Sequence, residues 1–183
     1  GIGALLHDVG KTVVPLHILN KPGKLTPEEM EAMRRHPQLG FDILRMYKGI
    51  SPLSANIALQ HHERYNGSGY PQGLKGPQVH EFARITAIVD VYDALTADRV
   101  YRPAYSPQEA FEKLAGSGNF THDYRLVRAF LSNVAIYPVG TIVKLNSGHI
   151  GVVIAAERGC SQQPQVRLLY EPSGKPNRER PVI

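Results

Sequence analysis

His7-Asp8-Val9-Gly10-Lys11 is the stretch that decides how this chain folds. A histidine beside an aspartate offers a neutral nitrogen and an anionic oxygen, a donor pair that suits divalent first-row metals. Further along the 183 residues stand His36, the adjacent His61 and His62, and Asp90, each inside a segment that reads as helical. One His-Asp pair proves nothing, because such dipeptides are common by chance and a lone histidine on a helix is more often solvated than a ligand. The joint occurrence is what matters. Six nitrogen and carboxylate donors exceed what one tetrahedral ion takes, so two or more metals are expected, held between helices that face one another. Lys11 follows Asp8 by three residues and sets a positive charge one helical turn from those metals if the turn stays helical. Metals beside a fixed cation point to phosphate chemistry.

Composition bounds the rest. A chain of 183 residues, 42% of them hydrophobic, holds one sizeable domain with a real core and a small appendage. No run approaches the ~18 apolar residues of a membrane span. No charged region precedes an apolar stretch at the N-terminus, so no signal peptide is visible and a cytoplasmic location is expected. The lone Cys160 excludes an internal disulfide framework and a thiolate metal site, which leaves histidine and carboxylate to carry any metal. The net charge of +5 favours an anionic partner, although the segment from Lys175 to Arg180 supplies several of the basic residues. Without a long basic run or interleaved aromatic and basic residues, a small phosphorylated ligand is expected and DNA is not. Gly1 is not an initiator methionine, and the His-Asp pair arrives at the end of a first helix, so the chain reads as a fragment of a longer one.

Helix starts are legible in several places. Thr26-Pro27 with Glu29 reads as an N-cap, a first-turn proline and the glutamate of a capping box, predicting a helix toward His36 that Pro37 stops or kinks. Ser51-Pro52 repeats the signal and leads into Gln60, His61 and His62. Neighbouring side chains on a helix diverge by about 100°, so these two histidines serve different metals or meet one cluster from two angles. From Tyr65 to Gly73 the chain is dense in turn formers and forms a loop, with Tyr70 and Pro71 placed to cover the site or contact a partner. Phe82, Ile85, Ile88, Val89, Tyr92 and Leu95 have helical spacing, and Asp90, Asp93 and Asp98 stud the same element. Ser106-Pro107-Gln108-Glu109 is a second capping box, and a further helix spans Asp123 to Ala135. After Tyr137-Pro138-Val139-Gly140 the pattern changes to short β-branched or aliphatic runs, Ile142 to Leu145, Ile150 to Ala155 and Val166 to Leu169. Residues 1–136 are therefore expected as a helical domain and 137–183 as a small β-rich extension, with Glu171 to Arg180 a mobile tail.

His7-Asp8-Val9-Gly10-Lys11, Lys21-Pro22-Gly23-Lys24-Leu25, His36-Pro37, His61-His62-Glu63, Gly67-Ser68-Gly69-Tyr70-Pro71 and Asp90-Val91-Tyr92-Asp93-Ala94-Leu95-Thr96 together resemble the HD-GYP family of bacterial cyclic di-GMP phosphodiesterases. The resemblance extends into the Tyr137-Pro138-Val139-Gly140 stretch. It implies a mainly α fold, an HD-type helical bundle binding two or three divalent metals, most often iron or manganese. It also implies hydrolysis of cyclic di-GMP to the linear dinucleotide pGpG and to GMP in bacterial signalling. Carried over by position, His7, Asp8, His36, His61, His62 and Asp90 become metal ligands, with Asp8 able to bridge two ions. Lys11 becomes a contact to substrate phosphate that assists proton transfer, oriented by Asp93, while Arg99 and Arg102 become further phosphate contacts. Gly67, Gly69, Tyr70 and Pro71 become an interaction loop.

Departures set limits on the resemblance. The family carries another histidine upstream of the His-Asp pair, and its three-metal members a glutamate there, so the number of metals stays open. Val100 stands where many members have proline, and Thr121-His122-Asp123 departs from the usual local pattern. His17, His80, His122 and His149 match no family ligand and read as surface or structural. Two other functions compete: a catalytically weak binding module that docks a partner such as a diguanylate cyclase domain through the Gly67 to Pro71 loop, and an enzyme of the same chemistry acting on a related cyclic dinucleotide or another phosphoester.

Overall fold

Side-chain caps set the starts of several helices in the computed structural model, which describes residues 1–98, 103–118, 120–156 and 163–183. The described helices are α1 (Ile2–Leu5), α2 (Leu16–Leu19), α3 (Pro27–Met33), α4 (His36–Arg45), α5 (Pro52–Gln60), α6 (Glu81–Thr96), α7 (Pro107–Ala115) and α8 (Tyr124–Asn133). Three strands follow, β1 (Ile142–Lys144), β2 (Ile150–Ala155) and β3 (Gln165–Tyr170). Both capping boxes form: Thr26 Oγ1 accepts from the Glu29 amide at 3.3 Å while Glu29 accepts from the Thr26 amide at 2.7 Å, and Ser106 and Glu109 do the same at α7. A cap of this kind contributes about 1 kcal/mol. Asp123 caps α8 through the Arg125 amide, and His80 caps α6 through that of Phe82.

The helix begun at Thr26 ends at Met33, three residues short of His36. Pro37 is not what stops it. It lies in the first turn of α4, where its missing N–H leaves no hydrogen bond unmade, so it opens a second helix with His36 as the leading residue. Between α1 and α2 the chain makes a 3-10 turn over Val9–Val13 that packs on α4 through glycine. A Cβ on Gly10 would stand 1.9 Å from the His36 carbonyl oxygen and 2.5 Å from the Gly40 nitrogen, so only glycine permits this approach.

Two apolar clusters hold the helices. Leu44, Ala55 and Ala58 pack with Leu6, Val9, Phe41 and Ile50, locking α4 and α5 to the N-terminal segment. Ile88, Leu114, Val127 and Leu131 join α6, α7 and α8. Of the stripe predicted on α6, Ile88 is buried whereas Phe82, Ile85 and Val89 are exposed.

The strands form an antiparallel sheet in the order β1-β2-β3, with Val143 opposite Gly151 and Val153 opposite Val166. Val153, Val166 and Leu168 make a third core with Tyr137, Val143 and Leu145. The segment expected as a mobile tail is instead paired backbone. The chain turns where the Glu171 amide donates to Lys175 O at 2.8 Å, and Asn177 then donates to Leu169 O at 2.8 Å. Leu168 donates to Pro181 O at 2.9 Å, and Val166 and Ile183 exchange hydrogen bonds at 2.9 and 3.0 Å. Polarity alone suggested a free end, but the outer edge of β3 carries backbone groups that need partners, and the returning chain supplies them. Among the described residues no helix is long and apolar enough to cross a membrane.

Candidate metal centre

Helix ends build this site. His7 and Asp8 follow α1, His36 opens α4 just after α3, His61 and His62 follow the last residue of α5, and Asp90 lies midway along α6. A helix leaves its last carbonyls without intrahelical partners. Three imidazoles take them: Nδ1 of His7 lies 2.6 Å from Ala4 O, that of His36 2.8 Å from Met33 O, and that of His61 2.7 Å from Ala58 O. A carbonyl only accepts, so each Nδ1 carries the hydrogen, and in the neutral ring each Nε2 presents its lone pair. Buried metal-binding histidines are commonly oriented by such bonds.

The lone pairs converge on Asp8. Its Oδ1 stands 3.3 Å from His36 Nε2 and 3.6 Å from His61 Nε2, while its Oδ2 stands 3.4 Å from His7 Nε2. His7 Nε2 lies in turn 3.7 Å from Asp90 Oδ1. Asp8, His36, His61 and His62 each offer a ligand atom, all within 4.8 Å of one another, and His7 with Asp90 flanks them on the far side of the Asp8 carboxylate. The Nε2 atoms of His36 and His61 face each other at 3.3 Å, and both rings are 1% exposed. Two buried lone pairs at that distance repel unless a cation or a proton lies between them. His7 Nε2 and Asp8 Oδ1 are also buried without a hydrogen-bond partner. Imidazole nitrogens and carboxylate oxygens gathered this way fit a divalent metal.

His61 and His62 meet one cluster rather than two. They leave the end of α5 side by side, the two rings lying 4.1 Å apart between centroids, and each offers a ligand atom to the same cluster. Electrostatics divide the donors further. Burial lowers the pKa of His61, and burial followed by His61 pushes His62 down to about 3. The neighbouring carboxylates of Asp8, then Asp90, raise His7 to about 10. For Asp8, burial acts upward but is outweighed by His36, His61, His7 and Lys11, which hold the carboxyl below the usual carboxylate range. Burial also opposes ionisation of Asp90, and His7 overcomes it.

Lys11 Nζ lies 2.5 Å from Asp8 Oδ2. The expectation that Asp93 orients Lys11 is corrected: Asp93 is exposed on α6, and Asp8 does the orienting. The 3-10 turn gives the reason, since residues three apart eclipse there. Arg99 and Arg102, expected as phosphate contacts, lie outside the described residues.

The loop after α5 is organised by Glu63, whose importance sequence reasoning missed. Its carboxylate is 3% exposed and accepts from the amides of Gln72 at 2.7 Å and Leu74 at 2.9 Å. An acidic residue leading into a glycine-rich run with many free amides was the available signal. Gly69 lies against the backbone of residues 62–64, where a Cβ would come within 2.3 Å of the Arg64 nitrogen. The half-buried Tyr70 stacks on His62 at 4.8 Å, and the Arg34 guanidinium lies 5.4 Å from the centre of the Tyr70 ring. A depression of about 350 Å³ beside it is lined by Glu31, Arg34, Arg35, Gln38, Tyr70 and Pro71, among others. Gly67, with φ +85°, turns the loop, and Pro71 is exposed at its surface.

Comparison with known proteins agrees with this geometry. Residues 2–124 match the HD domain family. Cyclic di-GMP phosphodiesterase PA4108 of Pseudomonas aeruginosa is 44% identical over 96% of this chain, and the response regulator RpfG of Xanthomonas campestris, also named a cyclic di-GMP phosphodiesterase, is 44% identical over 71% of it. The chain spans 42% of the first relative and 35% of the second. Among solved structures, Bd1817, a HDG"Y"P protein from Bdellovibrio bacteriovorus, superposes with a TM-score of 0.55 at 27% identity, covering 69% of this chain and 40% of that one. The chain belongs to the HD domain family, and its His-Asp, His-His and Gly-Tyr-Pro motifs set it in the HD-GYP branch.

Proposed function

We propose that this chain is the catalytic part of a metal-dependent phosphodiesterase that hydrolyses cyclic di-GMP to pGpG, GMP or both. One observation carries the reading: the Asp8 carboxylate turns one oxygen to His36 and His61 and the other to His7 and Lys11. The names of the relatives from Pseudomonas aeruginosa and Xanthomonas campestris support the substrate. Asp8, His36, His61 and His62 would hold one divalent ion, and His7, Asp8 and Asp90 would hold another, within a complement of two or three that we assign to iron or manganese. Bound there, such ions supply Lewis-acid charge that acidifies water and neutralises the non-bridging oxygens of a phosphodiester.

The chain's own residues do the rest. His7, His36 and His61 are held in one tautomer by carbonyls, so little reorganisation accompanies ligation. Lys11 keeps two of its three N–H donors for substrate phosphate while the third bonds Asp8, and it would protonate a leaving oxygen. Arg99 and Arg102 would add bidentate phosphate contacts. Tyr70, stacked on His62, shields that side of the cluster from water. We read residues 1–136 as the catalytic unit and 137–183 as an extension, supported by the separate core of the sheet. A cytoplasmic location goes with this reading, since a single cysteine asks for no oxidising compartment.

A second reading keeps the chemistry and changes the substrate. It is favoured by a 40% identical relative from Vibrio cholerae named 3'3'-cGAMP-specific phosphodiesterase 2. Docking of a diguanylate cyclase domain through Gly67, Gly69, Tyr70 and Pro71 is a separate proposal, to which Pro71 offers an exposed surface. The deciding experiment is anaerobic metal analysis of the full-length protein with turnover of cyclic di-GMP and of 3'3'-cGAMP, followed by chromatography of the products. Metal with pGpG or GMP released supports the first reading, preference for cGAMP moves it to the second, and metal without turnover of either overturns both.

A further inference from the structure

Arg34 and Arg35 form the whole joint between α3 and α4, directly before the candidate ligand His36. Both line the depression of about 350 Å³ beside Tyr70, together with Glu31, Gln38 and Asp42. Tyr70 is the wall that this depression shares with the metal centre. Its ring stacks on that of His62 at 4.8 Å, and the Arg34 guanidinium lies 5.4 Å from its centre. The depression thus begins one side chain away from His62 on the loop side and one residue away from His36 on the helix side. In a nucleotide a ribose stands between phosphate and base, so the base of a phosphate held at the metals needs a subsite beside them and not among them.

The lining carries both signs of charge, yet these charges are not spent on one another. Among the described residues the side chains of Arg34, Arg35 and Glu31 make no hydrogen bond or ion pair, and Asp42 takes a single hydrogen bond, from Gln38 Nε2 to its Oδ1 at 3.1 Å. Guanidinium forks and carboxylates therefore line one concavity with their donors and acceptors open. Guanine matches that set. Its O6 and N7 are adjacent acceptors that an arginine fork meets with two hydrogen bonds, and its N1–H and N2 amino group are adjacent donors that a carboxylate meets with two more. Adenine reverses both edges, turning an amino donor toward the arginine and a lone pair toward the carboxylate, and groups left unpaired in this way cost affinity. A bare phosphate fits less well, because Glu31 and Asp42 would repel what the arginines attract.

We infer that this depression is a guanine subsite for the cyclic dinucleotide. Arg34, steadied on the Tyr70 ring, donates to O6 and N7, and Asp42, steadied by Gln38, accepts from N1 and N2. The inference rests on the phosphodiesterase reading for the class of ligand, and it serves cyclic di-GMP and 3'3'-cGAMP alike because each carries guanine. Full-length metal-loaded protein is compared with Arg34→Gln, Arg34→Lys and Asp42→Asn. Calorimetry reads binding of the phosphorothioate analogues of cyclic di-GMP and cyclic di-AMP, which resist hydrolysis, beside turnover of the parent dinucleotides, metal content and melting temperature. The deciding quantity is the ratio of the two affinities. The unaltered protein prefers the guanine dinucleotide, and Arg34→Gln and Asp42→Asn each lower that preference by about tenfold to a hundredfold, as for loss of one bidentate base contact, with metal content kept. Arg34→Lys returns the charge without the fork and leaves the preference low. An equal loss for both dinucleotides makes Arg34 a phosphate contact or a support for the loop and overturns the inference. An unchanged preference in Arg34→Gln and Asp42→Asn, or an unaltered protein that does not distinguish the bases, overturns it as well. Guanine-selective binding without cleavage, lost in the variants, keeps the subsite while the phosphodiesterase reading fails, and cleavage without guanine preference does the reverse. If neither dinucleotide binds, both fall.

Discussion

The candidate site among the helices and the core of the C-terminal sheet bury opposite kinds of atoms. At the junction of α1, α4, α5 and α6 the chain places two imidazoles at 1% exposure with their lone pairs turned toward each other and toward a carboxylate. Only a bound cation or proton makes that arrangement favourable. The sheet buries Val153, Val166 and Leu168 and satisfies its backbone by pairing with its own chain end. One region is held short of its lowest energy so that it can take a ligand, and the other needs nothing further.

Substitutions separate the two most sharply at their centres. His61→Ala removes a buried donor and, through loss of metal charge worth about 4 kcal/mol of transition-state stabilisation, lowers turnover by ~10³-fold or more. Parallel metal analysis and circular dichroism should show metal lost and helix content kept. Leu168→Ala in the sheet should cost about 2–4 kcal/mol in thermal or urea unfolding while kcat, measured well below the transition, stays at the unaltered value. Altered metal content in Leu168→Ala would join the two regions and break the contrast.

Glu63→Gln tests the border between site and scaffold. The amide keeps one acceptor for the Gln72 or Leu74 amide and leaves the other unmet, a loss of about 1–3 kcal/mol. Turnover should fall by roughly tenfold with metal retained, and hydrogen exchange at residues 66–74 should quicken. The pH dependence of metal uptake sharpens the comparison in another way. His7 holds its proton up to about pH 10 in the metal-free protein, and a metal takes only the neutral ring. Uptake therefore releases that proton, and apparent affinity rises by about tenfold per pH unit from neutrality toward pH 10. Competition titrations at pH 7, 8 and 9 read this slope, and a flat profile would remove His7 from the ligand set. The smallest effect is expected at Tyr137→Phe. It deletes the 3.2 Å hydrogen bond to Gln108 between the sheet region and α7 and should lower stability by about 0.5–1.5 kcal/mol without changing KM.

Much of the scaffold was legible because it is written locally. Thr26, Ser51 and Ser106 announce helices through side chains that bond amides two or three residues on, and the change to short β-branched runs after Gly140 marks the sheet. Pro37 misled because the same residue that ends one helix is favoured in the first turn of another, and nothing nearby in the chain distinguishes the two. The returning C-terminal segment misled because its polar composition hides a backbone pairing with β3, which is a relation between strands.

The sequence by itself determined the donors: their identity as nitrogen and carboxylate, their order, the cation three residues after Asp8, and the glycine-rich loop that follows the histidine pair. These are properties of residue type and short spacing. Only the tertiary structure decided what each donor does. It set Asp8 between His7 and the His36–His61 pair, gave Lys11 to Asp8 rather than Asp93, and brought His61 and His62 to one cluster. It also brought His122 to Arg64 across 58 positions of chain. The physical reason is common to all of these. A helix end points a side chain at whatever the packing of other helices brings near, and that packing depends on contacts far apart in sequence.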